Sequence, residues 1–221
     1  MYRVMSVVSL ESYTRRVGAI PGTNLGDDIC YFARVSNPVS QINNLKNDRL
    51  IDYLIKHKHW SPFEMVYATL GIDTTRDIAR QILRHRSFSF QEFSQRYSVT
   101  SMDMELREAR MQDLKNKQNS IETDDKHLKL LWEMRQNQII HEAKVAYEWA
   151  INKGIAKEQA RAILPEGLTW TRLYMSGSMR SWIHYIELRS GPETQKEHRV
   201  IAQTAALALE PIFPQIKGFV K

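Results

Sequence analysis

A run of arginine and histidine side chains near the middle of the chain is the strongest chemical signal in the sequence. Residues 84–86 read Arg-His-Arg, and Glu92, Ser94 and Arg96 follow at alternating positions. Arginine carries a planar fork of donors that matches two oxygens of a phosphate or carboxylate at once. Two such forks beside a carboxylate, a hydroxyl and several aromatic rings suit a small aromatic anion. The triplet alone would fit a solvated basic helix end followed by an edge strand, but the ordered tail favours an anion site.

Other common kinds of site have little support. The chain has no Gly-x-Gly-x-x-Gly and no Gly-Lys-Ser/Thr motif, so neither common nucleotide-binding scaffold is expected. His57 and His59 are two residues apart, but no Cys, His or carboxylate stands at ligand spacing from them, so no metal site is expected. Cys30 is the only cysteine, which excludes an internal disulfide, favours a reducing compartment and predicts a thiol packed in the core.

The overall composition fits one folded domain with anionic partners. Of the 221 residues, 43% are hydrophobic, which is enough to bury a core. The net charge of +6 and the pI near 9.4 favour nucleotides, folates, nucleic acid or a membrane surface as partners. Residues 1–10 lack the pattern of a signal peptide. No apolar run approaches the roughly 18 residues that span a bilayer, so a cytoplasmic protein is expected.

Periodicity and chain breakers predict the elements that would position these side chains. Strands are expected at residues 4–10, 65–73 and 168–176. Helices are expected from Asp27 or Asp28 to residue 33 and at residues 47–58, 127–152, 157–164, 178–189 and 193–209. Helices combined with strands that do not alternate strictly indicate a mixed α/β or α+β domain.

One further predicted helix carries part of the candidate site. Thr74 or Thr75 would cap it, and it would run to about Arg84, which places Gln81, Arg84 and His85 on one face. The polar residues 112–126 are expected to form an exposed loop, since they show no periodicity. The long helix that follows would be closed by Gly154.

The motif around the arginine triplet resembles the signature of the flavin-dependent thymidylate synthases. Residues 84–86 are followed after seven residues by Ser94, and then by Arg96-Tyr97-Ser98. The resemblance implies an enzyme that methylates dUMP to dTMP with methylenetetrahydrofolate as carbon donor, FAD as redox relay and NADPH as reductant. It also implies a homotetramer whose sites are shared between subunits. The fold it implies is one domain over residues 1–221, with a central twisted, mainly antiparallel sheet packed by long helices.

Three shorter segments extend the resemblance, at residues 57–64, 160–165 and 178–189. Together with the main motif they imply roles residue by residue. Arg189 is expected to be the catalytic residue, because it lands on the arginine thought to polarise the uracil ring, where a fixed cation stabilises a developing anion. The implied dUMP contacts are Gln81, Ile82, Leu83, Arg84, Glu92, Phe93, Ser94, Gln95, Arg96, Arg161 and Arg189. The implied FAD contacts are His59, Ser61, Arg84, His85, Arg86, Glu92, Ser178, Met179, Arg180 and His184.

The sequence departs from the family pattern at two positions. Gln95 stands where Gly is common, and Ser178 replaces the usual Asn. Ser94 could share a face with Glu92 in an extended segment, yet the resemblance implies reduction and methylation through the flavin and no covalent attack by the protein. The absence of a cysteine from the matched motifs agrees with that mechanism.

Two alternatives compete with the synthase interpretation. One is a basic nucleic-acid-binding module in which Phe88, Phe90, Phe93 and Tyr97 would stack on bases. Acidic residues interrupt the basic ones along most of the chain, which disfavours a continuous phosphate-binding stripe. The other is a flavoprotein of this fold without synthase activity, which the presence of both arginines, at 161 and 189, disfavours.

Overall fold

A four-stranded antiparallel sheet forms the centre of the computed structural model, which describes residues 7–19, 23–43, 47–99 and 104–221. The strands are β1 (Val7–Tyr13), β2 (Tyr67–Thr75), β3 (Ser89–Glu92), β4 (Arg110–Gln112), β5 (Ser120–Glu122) and β6 (Trp170–Ser178). The order in the main sheet is β1-β2-β6-β3, and β4 and β5 form a separate hairpin. The mixed class and the antiparallel sheet expected from the sequence are confirmed.

Helices pack on this sheet and extend from it. They are α1 (Leu25–Ala33), α2 (Pro38–Asn43), α3 (Asn47–Lys56), α4 (Arg76–Ile82), α5 (Lys126–Asn152), α6 (Lys157–Ala160), α7 (Met179–Arg189) and α8 (Lys196–Leu209). Short 3₁₀ segments cover Ser61–Met65, Arg161–Ile163 and Pro214–Phe219. In the described part of the chain, no helix is long and apolar enough to cross a membrane.

The core lies between the sheet and helices α7 and α8. Leu70 and Ile72 of β2 pair with Met175 and Leu173 of β6, and all four side chains are fully buried. Trp182 of α7 is also buried, and its indole N–H donates to the Ala68 carbonyl at 3.0 Å. The two central strands and α7 therefore pack as one unit, which fixes the positions of the backbone segments that carry the site residues on α7.

Most of the predicted elements are present, with shifted ends. The strands predicted at 65–73 and 168–176 both start and end two residues later, and the strand predicted at 4–10 is described only from Val7, as residues 4–6 lie outside the described ranges. The long helix and the helices starting near residues 47 and 178 are confirmed. Gly154 has a φ of 78° just beyond α5, as its closing role requires.

Several local predictions were wrong. Helix α1 is capped by Asn24 in a capping box with Asp27, because the Asn24 amide oxygen accepts from the Asp27 backbone while the Asp27 carboxylate caps in return. The segment 112–126 is exposed but contains one arm of the β4–β5 hairpin. Helix α4 ends at Ile82, and α6 gives way to a 3₁₀ turn at Arg161.

A partly buried ionic cluster fastens the segment before β4 to α4 and, through an ion pair of Arg107 with Glu197 at 3.8 Å, to α8. Arg107 donates to Asp77 at 2.8 Å and to the Gly167 carbonyl at 3.1 Å, and it also contacts Thr75. The amide of Gln136, on α5, accepts from the Arg107 backbone N–H and donates to its carbonyl. A residue without a place in the predicted site thus joins three helices beside the sheet.

Replacing Gly177 by alanine is expected to lower the free energy of unfolding by about 2 kcal/mol, the usual cost of overpacking. A Cβ at this position on β6 would lie 2.6 Å from Cε1 of the Phe88 ring, which itself packs on Trp182. Urea denaturation measures the loss. Gly218→Ala is the matched control, because a Cβ there meets nothing within 4 Å; equal stability of the two variants would contradict the packing argument.

Candidate active site

Helix α7 lies along the segment that contains the arginine triplet. At its start, the Ser181 hydroxyl donates to the Ser87 carbonyl at 3.2 Å. One turn on, the edge of Tyr185 packs against the His85 ring, with centroids 4.9 Å apart. Near its end, Arg189 reaches the same histidine. The spacing of these contacts along α7 follows the helical period, so one helix face orders the whole segment.

The contact between Arg189 and His85 is the chemical centre of this face. The Arg189 Nε–H donates to His85 Nε2 at 3.0 Å. Burial, followed by the charge of Arg189 and by the neighbouring His184, lowers the pKa of His85 to about 4. The imidazole is therefore neutral near pH 7 and can accept this bond. Neither terminal guanidinium nitrogen of Arg189 has a hydrogen bond or ion pair with another residue among those described, which leaves the outer edge of its fork for a ligand.

A second layer of polar side chains lies behind this pair. His198 of α8 is fully buried, with its Nε2 3.1 Å from the Tyr185 hydroxyl and its Nδ1 3.2 Å from Gln81 Oε1. Burial, followed by the charge of Arg189 and by His85, lowers the pKa of His198 to about 3. Burial raises the pKa of the Tyr185 hydroxyl, partly opposed by Arg189. The imidazole of His198, the hydroxyl of Tyr185 and the amide of Gln81 are all uncharged at neutral pH.

The amino-terminal end of α7 carries the second cluster. Ser178 caps the helix by accepting from the Ser181 backbone at 3.3 Å, and its hydroxyl donates to Glu64 at 2.6 Å. The other oxygen of Glu64 accepts from Arg180 at 2.8 Å. The carboxylate thus ties the 3₁₀ segment Ser61–Met65 to the start of α7. This brings the predicted flavin contacts Ser61, Ser178 and Arg180 onto adjoining elements.

The loop after β3 is held against α6. Arg96 forms an ion pair with Glu158 at 3.5 Å, and Lys157 donates to the Tyr97 carbonyl at 3.0 Å. The 3₁₀ turn carrying Arg161 follows α6 directly. The loop that carries the predicted phosphate-binding residues is therefore held beside the helix that leads into Arg161, although the two are far apart in sequence.

Gln95 marks the interior of that loop. Its side chain is 3% exposed, and the amide Nε2 is buried with no hydrogen-bond partner among the described residues. A buried donor without a partner costs about 1–3 kcal/mol, so the loop is suited to an oxygen-rich ligand. The departure from glycine at this position supplies a donor that a glycine could not.

Glu92 is held at the end of β3 by two neighbours. The Thr171 hydroxyl donates to its Oε1 at 2.9 Å, and Arg76 approaches the same oxygen at 3.3 Å. The arginine and carboxylate form an ion pair without an aligned hydrogen bond, because Arg76 Nη1 is itself without a hydrogen-bond partner in the described structure. Glu92 is thus anchored to β6, the strand that leads directly into α7.

Besides Arg189, three arginines of the candidate site have no ion-pair partner in the described ranges. The guanidinium groups of Arg84, Arg86 and Arg161 form no ion pair with any residue in the described ranges, whereas most arginines elsewhere in the fold do. Arg84 and Arg86 are exposed and Arg161 is half-buried. Cationic side chains that are left unpaired on one side of a protein attract anionic ligands.

The remaining predicted contacts are placed in different ways. Ile82 and Met179 are fully buried in the core, so their side chains face the protein interior. Leu83 and Phe93 are partly exposed, and His184 is exposed on α7. His59 lies beyond the end of α3 and packs its ring edge on Tyr53, at 5.9 Å between centroids. The helix face expected to join residues 81, 84 and 85 ends at Ile82, so the chain turns before Arg84.

Sequence reasoning missed three members of the site. Glu64 stands inside a matched segment, but its partners Ser178 and Arg180 follow over a hundred residues later. Tyr185 and His198 read as ordinary helix residues, and their roles come only from the packing of α7 on α8. Their burial could be suspected from the apolar period of each helix, but the contact between them could not.

The stacking platform of the nucleic-acid alternative is partly absent. Phe88 packs edge-on against Trp182 at 4.8 Å, and Phe90 packs against the core with it. Only Phe93 and Tyr97 remain at the surface. Cys30 is equally unavailable for chemistry, because burial raises its pKa to about 12.

The antiparallel α/β fold presents unpaired arginines and an arginine bonded to a neutral histidine, an arrangement suited to an anionic ligand. Residues 23–215 match the family model described as thymidylate synthase complementing protein. The chain belongs to this family, the flavin-dependent thymidylate synthases.

Curated relatives support this membership. The chain is 51% identical to the flavin-dependent thymidylate synthase of Synechocystis sp. over 188 residues, which cover 85% of this chain and 86% of the relative. It is 47% identical to the probable flavin-dependent thymidylate synthase of Paramecium bursaria Chlorella virus 1 over 198 residues, covering 89% and 91%.

A solved structure shares the fold. The UMP/dUMP methylase PolB from Streptomyces cacaoi, bound with 5-Br dUMP, superposes with a TM-score of 0.82 over 99% of this chain and 95% of that one. Sequence identity is 23%, so this likeness establishes the architecture alone.

Proposed function

We propose that this protein methylates dUMP to dTMP, with FAD as redox relay, methylenetetrahydrofolate as carbon donor and NADPH as reductant. The observation that carries the proposal is the pairing of Arg189 with a neutral His85 at 3.0 Å, which leaves the outer edge of the guanidinium for a substrate. Family membership supplies the reaction, and the unpaired arginines supply a suitable environment for a nucleotide.

The nucleotide phosphate is assigned to the loop at residues 94–96 together with Arg161. This loop combines a hydroxyl, a buried amide donor and an arginine fork, which suit the oxygens of a phosphate. The uracil ring is assigned to Arg189, whose fixed cation would stabilise negative charge that develops on the ring as its N3 proton is lost. His85 holds Arg189 in place by accepting its Nε–H.

The residues near the start of α7 fit a flavin nucleotide. The exposed guanidinium groups of Arg84 and Arg86 are without acidic partners in the described structure, as a pyrophosphate requires. Arg180 and Ser178 are oriented by Glu64 beside them. When bound, the flavin would supply hydride transfer and relay of the one-carbon unit. The protein residues bind and orient it and keep His85 neutral beside Arg189.

The test combines a flavin titration with product formation. Purified protein should bind FAD, and the flavin absorbance bands should shift when dUMP is added. With methylenetetrahydrofolate and NADPH present, the mixture should form dTMP. A protein that ignores FAD, or that binds it and forms no dTMP, would refute the proposed function.

Replacing Arg161 by alanine is expected to weaken dUMP binding by about tenfold to a hundredfold, the effect of losing one charge-assisted hydrogen bond to phosphate. Isothermal titration against dUMP and against deoxyuridine measures it. Because deoxyuridine lacks the phosphate, its affinity should change little in the variant. Arg49→Ala, on the exposed surface of α3, is the charge-matched control. Equal weakening for both ligands would assign Arg161 to another part of the substrate.

We also propose a homotetramer, supported by the outer surface of α5. Seven large hydrophobic side chains of this helix are exposed, including Met134 at 58% and Trp149 at 56%. An open groove of about 490 Å³ lies on the same helix, lined by Ile139 and Ile163 among others. Apolar patches of this extent on a helix mark interaction sites. Light scattering on the purified protein measures the mass, and a monomer at micromolar concentration would contradict the proposal.

Two further proposals concern organisation and location. One domain over residues 1–221 is supported by the core that α1, α7 and α8 share with the main sheet. A cytoplasmic location is supported by the free thiol of Cys30, which is buried and unpaired with any disulfide partner and so suits a reducing compartment. Limited proteolysis tests the single domain, and fractionation of cells tests the cytoplasmic location.

A further inference from the structure

A continuous chain of hydrogen bonds connects the start of α8 with the tyrosine under the Arg189–His85 pair. Glu197 Oε2 is 2.9 Å from Gln195 Nε2, and Gln195 Oε1 is 2.8 Å from Gln81 Nε2. Gln81 Oε1 is 3.2 Å from His198 Nδ1, and His198 Nε2 is 3.1 Å from the Tyr185 hydroxyl. The five side chains come from α4, α7, α8 and the residue before α8.

The Glu197 carboxylate, at one end of this hydrogen-bond chain, can only accept hydrogen bonds. Burial opposes the charged form of Glu197, but hydrogen bonds from Arg110, its own backbone N–H and Gln195 outweigh burial and lower its pKa. Arg110 and Arg107 both approach its other oxygen. Glu197 is therefore a carboxylate without a proton to donate, so Gln195 must present its NH₂ group to it.

The direction of every other bond follows from that end. With its NH₂ group turned to Glu197, Gln195 presents its oxygen to Gln81, which must donate from Nε2. Gln81 then presents Oε1 to His198, so His198 Nδ1 must carry the proton. Since His198 is neutral, its Nε2 is a lone pair, and the Tyr185 hydroxyl must donate to it.

We propose that His198 is a positioning residue, and that the Glu197 carboxylate, acting through Gln195 on one side, and His198 on the other hold the Gln81 amide in a single orientation for the nucleotide. This inference rests on the proposed function in one respect, since Gln81 is the member of the hydrogen-bond chain that the family resemblance gives as a dUMP contact. His198 itself is fully buried, and it contacts the candidate ligand sites only through Gln81 and the ring of His85 among the described residues.

The orientation matters because a flipped amide exchanges donors for acceptors. A uracil ring offers both kinds of group along its edge. Gln81 has one N–H and one oxygen lone pair left after its two bonds in the chain. In the fixed orientation these remaining groups occupy defined positions, whereas a freely flipping amide would present the correct pattern only part of the time.

The tautomer of His198 tests the inference without any substrate. Protein labelled with ¹⁵N-histidine distinguishes the protonated from the unprotonated ring nitrogen by chemical shift, and the signal of His198 is identified as the one missing from His198→Asn. The expected result near pH 7 is a neutral ring protonated at Nδ1. A ring protonated at Nε2, an even mixture, or an imidazolium would each overturn the proposal.

Cutting the chain tests what sets its direction. Gln195→Ala removes the link between Glu197 and Gln81 at an exposed position, and it should allow a measurable population of the Nε2-protonated form of His198. Glu108→Gln is the matched control, since Glu108 pairs with Lys196 on the same helix end but lies outside the chain. An unchanged tautomer in Gln195→Ala would show that the carboxylate does not set the direction.

Two substitutions of His198 connect the tautomer to substrate binding. Asparagine keeps a donor near the position of Nδ1, whereas leucine keeps the bulk and no polar atom. His198→Leu should raise KM for dUMP about tenfold, the effect of one lost hydrogen bond, with kcat changed less than threefold. His198→Asn should restore most of the affinity. Equal KM values for both variants would contradict the positioning role.

These outcomes separate the inference from the proposed function. If the protein makes no dTMP but His198 is protonated at Nδ1 and responds to Gln195→Ala, the hydrogen-bond chain is correct and the reaction is wrong. If dTMP forms but His198 is not protonated at Nδ1, the reaction is correct and the hydrogen-bond chain is wrong. If His198→Leu does not fold, the tautomer of His198 in the unaltered protein and in Gln195→Ala still tests the inference.

Discussion

Replacing Arg189 by alanine is expected to lower kcat for dTMP formation by about a hundredfold to a thousandfold, which corresponds to ~3–4 kcal/mol of transition-state stabilisation. The guanidinium is oriented by its 3.0 Å bond to His85 and cannot lose its charge. A preoriented cation acts mainly when negative charge develops on the substrate, so kcat should fall much more than KM rises.

Lysine at this position separates charge from geometry. Arg189→Lys keeps the positive charge but has no Nε–H for His85 together with two further nitrogens for the substrate. Its kcat should lie between those of the unaltered enzyme and the alanine variant. Initial rates of dTMP formation at saturating cofactor give both parameters. Glu187→Ala, at an exposed position on the same helix, is the control for helix stability. An alanine variant that keeps more than a tenth of kcat would remove Arg189 from the proposed catalytic role.

The parts of the fold that follow from local rules were predictable. The long helix α5 has Gly154 beyond its end, and the start of α7 has Ser178 as its cap; both are signals carried by residues adjacent to the structure they specify. The central strands were placed to within two residues, because their β-branched and apolar residues must be buried on an antiparallel sheet.

The candidate site was predictable in its list of residues but not in its arrangement. The anion site at the Arg-His-Arg run followed from residue types and Arg189 from resemblance, whereas the contact of Arg189 with His85 depends on where α7 crosses the turn after α4. The bond between His198 and Gln81 joins residues 117 positions apart, and no periodic pattern encodes such a distance. The hairpin of β4 and β5 escaped notice because its strands are short and polar, and ion pairs of Lys196 with Glu108 and Glu122 hold that region against α8.

The stability of the protein is expected to fall steeply in mild acid because of His198. Its side chain is fully buried, and burial, followed by the charge of Arg189 and by the neighbouring His85, lowers its pKa to about 3. In the unfolded chain the pKa returns to about 6.5. Between these two values the unfolded state binds a proton that the folded state does not, so protonation favours unfolding.

Proton linkage gives the direction and the size of this change in the free energy of unfolding. Above pH 6.5 the histidine is neutral in both states, and its contribution to stability is complete. As the pH falls from about 6.5 towards 3, this contribution is lost at ~1.4 kcal/mol per pH unit, or on the order of 5 kcal/mol in total. His85, with its pKa lowered to about 4, adds a similar slope over the upper part of the same range.

Urea denaturation at pH 7, 6 and 5 measures the slope above most of the carboxylate titration range. His198→Leu removes one titrating group and should reduce the number of protons taken up on unfolding by about one at pH 5, whatever its stability at pH 7. The comparison is made at one protein concentration, since the stability of an oligomer depends on it. If both proteins show the same slope, His198 titrates normally in the folded state, which its burial between Tyr185, His85 and Arg189 would not allow.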